Sequence, residues 1–264
     1  MSLFFDETWF YAPVPEGAET AVLPEEELHH ALKVLRLRAG AEVVVTNGEG
    51  SVYRATLRDE KGLLEIGGRI QHEPLPPGIS VGLPLLKGRD TEQPAEAVCE
   101  FNVRDLFLLK TDHCETFKGQ DHSKLVERLR QKSLTALKQA KKSWLTRIHP
   151  PQDLRAWRAE HLTVPLVVAH PGETTVSAPM PASVHLLTGP EGGFSESELQ
   201  WLFGEKEGAV ESVAGAASSG TVYRLSLGET RLRAIHAPIA GIAALGALDL
   251  TSNSRTPPGS YPPP

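Results

Sequence analysis

Beyond residue 78 the chain alternates short apolar runs with helical ones, and this rhythm limits the fold more than any other feature. ISVGLPLL (79–86), LFLLK (106–110), PLVVA (165–169), HLLT (185–188) and VYRLSL (222–227) read as strands. The first precedes a segment near Thr91–Phe101. The second precedes an amphipathic helix over Ser123–Lys142, with Val126, Leu129, Leu137 and Ala140 on one face. Strand-then-helix order of this kind predicts an α/β fold with a mostly parallel sheet. The last helix, Ile235 to Leu248, is apolar on every side, so it is expected in a core or against a partner subunit.

The N-terminal part has a different period. VVVT (43–46), VYRATL (52–57) and LLEI (63–66) are short strand-like runs separated by the turn signals Asn-Gly-Glu-Gly (47–50) and Asp-Glu-Lys-Gly (59–62). One helix is expected before them, over Glu25–Leu37, with Leu28, Leu32 and Leu35 at helical spacing. Together these predict a small β-barrel over residues 1–72. EPLPPG (73–78) reads as a linker to a second domain over 79–250, and residues 251–264 read as a disordered tail.

With 264 residues and 40% hydrophobic content, the chain can bury a core in each of two domains. Its net charge of −6 excludes a protein that binds nucleic acid by bulk charge. Charge is nevertheless uneven: residues 110–147 hold ten Lys/Arg against four Asp/Glu, and residues 1–72 hold seven against twelve. The basic block fits either an RNA-contacting face or the solvated side of a helix. HHALKVLRLR (29–38) is a second basic island. Two cysteines, Cys99 and Cys114, lack the spacing for zinc or a disulfide framework and read as reduced thiols. The absence of a leader-like or membrane-spanning segment predicts a soluble, cytoplasmic protein that touches no membrane.

One stretch stands out: SVHLLTGPEGGFSESELQWL (183–202). An apolar strand ends at Thr188, Gly-Pro-Glu-Gly-Gly follows, and Ser195 with Glu198 forms a capping box that starts a helix carrying Leu199 and Leu202 inward. The turn thus sits at the carboxyl end of a strand, where open α/β sheets hold ligands. By itself it suits a ligand-approached loop or a plain glycine-rich turn. Common catalytic signatures are missing: no GxxxxGK[ST], no GxGxxG and no GxSxG. His29 and His30, adjacent on a helix, point too far apart to share a metal, and no metal site is expected.

Three blocks in this order, HHALKVLRLRAGAEVVVTNGEG (29–50), LLTGPEGGFSESEL (186–199) and LSLGETRLR (225–233), resemble the RsmE family. These are S-adenosylmethionine-dependent methyltransferases acting on uridine N3 of small-subunit ribosomal RNA, within the SPOUT superfamily. The resemblance implies an N-terminal PUA-like barrel for RNA and a C-terminal α/β domain whose end is threaded into a trefoil knot, a rare exception to unknotted chains. It also implies a homodimer, with ribosomal RNA or the 30S particle as partner. Leu187, Thr188, Gly189, Pro190, Gly192 and Gly193 would form one cofactor wall, and Leu227, Gly228 and Leu232 the other. Neither wall needs a metal or a phosphate-binding lysine.

For such a reaction an arginine beside the uracil oxygens would stabilise charge as N3 loses its proton. Arg233 is the first candidate and Arg231 the second, with Glu191 orienting the base or taking the proton. Phosphate contacts are expected from Lys33, Arg36 and Arg38, and from Lys138, Lys141 and Lys142.

The chain also departs from the family pattern. After LGxxxLR the usual Thr-Glu-Thr-Ala is replaced by Ala234-Ile235-His236-Ala237, and a Lys-x-x-Glu-Leu-Gly-Val block reads Ala97-Val98-Cys99-Glu100-Phe101-Asn102-Val103. A Gln-Ser-Gly-Arg element reads Gln139-Ala140-Lys141-Lys142, and residues 209–224 form a longer link. Two alternatives therefore stay open: the same fold acting on another RNA target, and a catalytically silent RNA-binding paralogue.

Overall fold

The computed structural model describes residues 7–74, 78–87, 89–114, 121–177, 181, 183–204 and 220–252. Part of the expected linker (75–77), most of the long link (209–219) and the tail from 253 onward lie outside them. Two compact units are present. The first comprises residues 1–77, 99–105 and 123–148, and the second 78–98, 106–122 and 149–264.

The first unit is built on a five-stranded sheet in the order β1-β3-β4-β5-β2. Its strands are β1 (Trp9–Tyr11), β2 (Thr20–Val22), β3 (Glu42–Thr46), β4 (Ser51–Leu57) and β5 (Leu63–His72). Only the β1–β3 pair is parallel. Register shifts around Tyr53 in the β4–β5 ladder curl the sheet. Phe10, Val43, Val45, Tyr53, Leu57 and Leu64 supply its core. The expected helix begins on time but stops early. The helix α1 (Glu25–His29) passes into one π-helical turn, His30–Val34, and Arg36 adopts φ +57°. Leu28 and Leu32 pack on the core, while Leu35 lies beyond the helix and is exposed.

The helix α3 (Ser123–Gln139) also belongs to the first unit, burying Val126, Leu129, Ser133, Ala136 and Leu137. Ser133 fits that apolar face because its hydroxyl donates to the carbonyl of Thr146 at 2.7 Å. The helix ends three residues short of the expected Lys142.

A six-stranded sheet runs in the order β11-β9-β10-β6-β7-β8. Its members are β6 (Ile79–Pro84), β7 (Val103–Lys110), β8 (Arg147–Asp153), β9 (Leu166–Ala169), β10 (Val184–Leu187) and β11 (Val222–Leu225). The pairs β11–β9, β9–β10 and β10–β6 are parallel. This is the mostly parallel α/β arrangement that the strand–helix rhythm predicts. The strand β8 escapes that reading because Pro150 and Pro151 lie inside it; as an edge strand it tolerates residues without an N–H. The helices are α2 (Glu92–Cys99), α4 (Leu154–Glu160), α5 (Glu196–Phe203) and α6 (Ala237–Ser252). Asp153 caps α4 through the N–H groups of Arg155 and Ala156. The α6 helix starts at Ala237 rather than Ile235, accepts Pro238 in its first turn, and packs on β10 and β6. The approach is tight: a Cβ on Gly241 would stand 2.7 Å from Leu186 Cδ2. Among the described residues no helix is long and apolar enough to cross a membrane.

Candidate active site

Parallel pairing brings the carboxyl ends of β9, β10 and β11 to one side of the sheet, and a loop leaves each end. These loops enclose a cavity of ≈ 960 Å³, in the range of roughly 300–1,000 Å³ that holds small ligands. His170 and Pro171 reach it after β9, residues 189–194 after β10, and residues 227–235 after β11. The turn singled out in the sequence is thus one wall. Gly189, Pro190, Glu191, Gly192 and Gly193 all line the cavity, and Leu227, Gly228 and Leu232 stand in the facing wall. Gly228 has φ +110°, a conformation that a side chain would strain. Leu187 and Thr188 do not line it. Leu187 sits in the core, and Thr188 is fully buried with its N–H on the carbonyl of Gly82.

The 189–194 turn is held from several directions. Gly193 N–H donates to Pro190 O at 2.8 Å. The capping box forms reciprocally: Ser195 Oγ accepts from Glu198 N–H, and Glu198 Oε2 accepts from Ser195 N–H. Glu198 is buried, and its second oxygen accepts the N–H of Asp112 at 2.8 Å. That bond docks the turn following β7 onto the loop. Asp112 Oδ2 accepts the hydroxyls of Ser195 (2.5 Å) and Ser197 (3.0 Å). The Ser195 bond holds the Asp112 carboxyl below the ordinary carboxylate range. His113 Nδ1–H donates to the carbonyl of Gly193 at 3.0 Å, and a Cβ on Gly192 would meet that ring at 3.3 Å. The sequence alone does not single out Asp112 and His113. The signal available for them was their place at the end of the buried run LFLLK.

The two arginines differ. Arg231 donates to the backbone carbonyl of Glu191, tying the two cavity walls together. Arg233 also lines the cavity, and its guanidinium meets no acceptor among the described residues. Its carbonyl receives the N–H groups of His236 and Ala237, which begins α6. Ala234 is buried and Ile235 lines the cavity, so the wall is apolar where the related pattern carries Thr-Glu. Asp90 and Glu229 join Glu191 as acidic lining residues.

Of the residues expected on phosphate, Lys33, Arg36 and Arg38 are exposed in the first unit. Arg38 stands 3.5 Å from Glu60, a pair so exposed that it contributes little. The other three have partners inside the first unit. Lys138 pairs with the buried carboxylate of Glu27, and Lys141 donates to the carbonyl of Glu7. Lys142 is only 7% exposed and donates to Cys99 O, Phe101 O and Thr146 Oγ1 at 2.7, 2.7 and 3.1 Å. Burial pushes its amine down to about 8. All three amines are engaged within their own unit.

Comparison with known proteins agrees with this architecture. An RNA methyltransferase domain family matches residues 73–246, and an RNA methyltransferase PUA domain family matches residues 23–66. The chain is 30% identical over 243 residues to the ribosomal RNA small subunit methyltransferase E of Synechocystis, covering 87% of this chain and 73% of that protein. A methyltransferase of Legionella pneumophila solved with its cofactor SAM superposes with a TM-score of 0.75 at 23% identity, over 91% of this chain and 97% of that one. The ribosomal RNA small subunit methyltransferase E of Neisseria gonorrhoeae, bound to S-adenosyl methionine, gives 0.70 at 21%, over 92% and 98%. With the matched domain spanning most of its length and its carboxyl-end loops enclosing one cavity, this chain belongs to the ribosomal RNA small subunit methyltransferase E family of RNA methyltransferases.

Proposed function

We propose that the protein transfers a methyl group from S-adenosylmethionine to N3 of a uridine in small-subunit ribosomal RNA, with the cavity between residues 189–194 and 227–235 as its active site. The observation that carries this reading is that cavity, with Gly189, Gly192, Gly193 and Gly228 in its walls and Arg233 lining it with no acceptor among the described residues for its guanidinium. The lining suits S-adenosylmethionine. Carboxylates at Asp90 and Glu229 face its cationic groups, Arg231 supplies positive charge for its carboxylate, and Leu227, Leu232 and Ile235 offer apolar surface to its adenosine. When bound, the cofactor supplies an electrophilic methyl on a sulfonium.

The residues of this chain then have separable tasks. Arg231 fixes the Glu191 backbone and so sets the separation of the two walls. Arg233 places a cation where negative charge develops on the uracil oxygens as the N3 proton leaves. Glu191, on a backbone held in place, orients the base. Closing both partners into one cavity supplies proximity, a large part of any such rate. Lys33, Arg36 and Arg38 contact RNA phosphate.

Within the same reading the first unit's curled sheet closes as a PUA-like barrel, and the chain end that forms α6 is threaded as a trefoil knot. The apolar α6, with Ala243 and Ala247 exposed, packs against a second copy in a homodimer; a monomer mass in sedimentation equilibrium would remove that element. The protein works in the cytoplasm, where its substrate is. Calorimetric titration with S-adenosylmethionine tests the cavity. Saturable micromolar binding, one cofactor per chain, is expected; no heat of binding would favour instead the silent RNA-binding paralogue, to which the Ala234-Ile235 substitutions point.

A further inference from the structure

Methylation at N3 requires that a proton leave, because uracil keeps that proton at neutral pH. Among the described residues three carboxylates line the cavity, but a carboxylate is a weak base for such a nitrogen. Imidazole is the side chain that exchanges protons near neutrality. Among the described residues His170 is the imidazole that lines the cavity, at the carboxyl end of β9.

Its ring is oriented from three sides. The backbone N–H donates to Leu225 O at 3.1 Å, fixing the residue to β11 beside the second cavity wall. Phe203 of α5 meets the ring edge-on, with centroids 6.1 Å apart and planes at 63°. Arg224 stacks on the same Phe203 ring, 4.3 Å from its centroid, and stiffens it. Finally, His170 Nδ1 stands 2.8 Å from the carbonyl oxygen of Pro171. A carbonyl only accepts, so Nδ1 carries the hydrogen, and in the neutral ring Nε2 keeps its lone pair. No partner among the described residues meets Nε2.

Resting on the reading above, we propose that His170 is the proton acceptor of the methyl transfer. Its Nε2 lone pair takes the N3 proton of the uridine. The electron pair released on N3 forms the new N–CH3 bond as the S–CH3 bond breaks, and that bonding pair stays on sulfur as a neutral thioether. Positive charge passes from the sulfonium to the imidazolium, which returns its proton to water. Pro171 holds the tautomer that makes this possible, as the orienting group does in other base-catalysed sites.

Nitrogen-15 NMR of the wild-type protein, with kinetics and cofactor titration of H170Q and H170A, tests the assignment. The expected results are an Nδ1-protonated neutral ring and a kcat lowered about a hundredfold at neutral pH. Activity of the variants should recover as pH rises, while S-adenosylmethionine affinity stays within about threefold of wild type. An Nε2-protonated ring overturns the proposal, as does an H170Q kcat and pH profile like those of wild type. So does a loss of kcat matched by loss of cofactor affinity, which makes His170 a cofactor contact. A wild-type protein that leaves uridine unmethylated overturns the parent reading and this role with it. Failure of the His170 proposal alone shows in the tautomer or in the variants while the wild type methylates uridine.

Discussion

Replacing Lys142 with Met isolates a buried charge whose effect on stability has a defined pH signature. The ammonium donates to two carbonyls and a hydroxyl inside the first unit, yet burial holds it at about 8 against an ordinary 10.5. That difference corresponds to about 3 kcal/mol between the two protonation states. The unfolded chain keeps its proton up to about 10.5 and the folded chain only to about 8. Between those values the unfolded state binds more protons, so folding stability rises with pH. Below about 8 both states are charged and the penalty is present in full. K142M removes this exchange and takes one donor from each of the carbonyls of Cys99 and Phe101, the latter of which keeps the Val103 N–H, at about 0.5–1.5 kcal/mol for each hydrogen bond lost. At pH 7 the lost hydrogen bonds are set against the removed burial penalty, so the gap is small there, and it should open by about 3 kcal/mol in favour of the wild type toward pH 10.5. Urea unfolding of both proteins from pH 7 to 10.5 measures it. Other shifted groups, such as Tyr11 and Lys141, cancel in the difference. A gap that stays constant across that range would refute the argument, because the three acceptors would then have offset the burial completely.

Three further outcomes are expected. D112A removes the acceptor of the Ser195 and Ser197 hydroxyls and should weaken S-adenosylmethionine binding by about five- to thirtyfold, the worth of one to two hydrogen bonds; D112N, which keeps an acceptor oxygen, should recover most of it in the same titration. R233A should lower kcat by about a hundredfold with little change in cofactor affinity, whereas R231A, which frees the Glu191 carbonyl, should raise the KM for cofactor; steady-state kinetics separates the two. Replacing Arg36 and Arg38 with Ala should weaken RNA binding and reduce the slope of its salt dependence by about two, while the same change at Lys138 and Lys141 should leave that slope as it was.

Where the signal was local, the sequence could be read directly. Ser195 and Glu198 stand three residues apart and form the capping box by themselves. The runs around Val81, Leu108, Val167 and Leu186 are strands because nothing but a sheet buries them on both faces. The Gly-Pro-Glu-Gly-Gly turn lies on a ligand-sized cavity because it follows one of those strands. Where structure depends on distant partners, the sequence was silent. The two prolines of β8 look unlike a strand until the strand is known to be an edge. The three-residue strands β1 and β2 are too short to show a period. Lys142 reads as surface charge because nothing near it in the chain reveals that Cys99 and Phe101, about forty residues away, present their carbonyls to it. Asp112 reaches Ser195 across more than eighty residues, and only the fold brings them together.

Small ribosomal subunits from a strain lacking this methylation provide the most direct test of the function. They would be incubated with the protein and methyl-labelled S-adenosylmethionine, and their RNA digested to nucleosides. Label should enter one uridine per subunit as 3-methyluridine, and R233A should all but abolish it. Subunits that remain unlabelled, or label found on another base or on ribose, would contradict it.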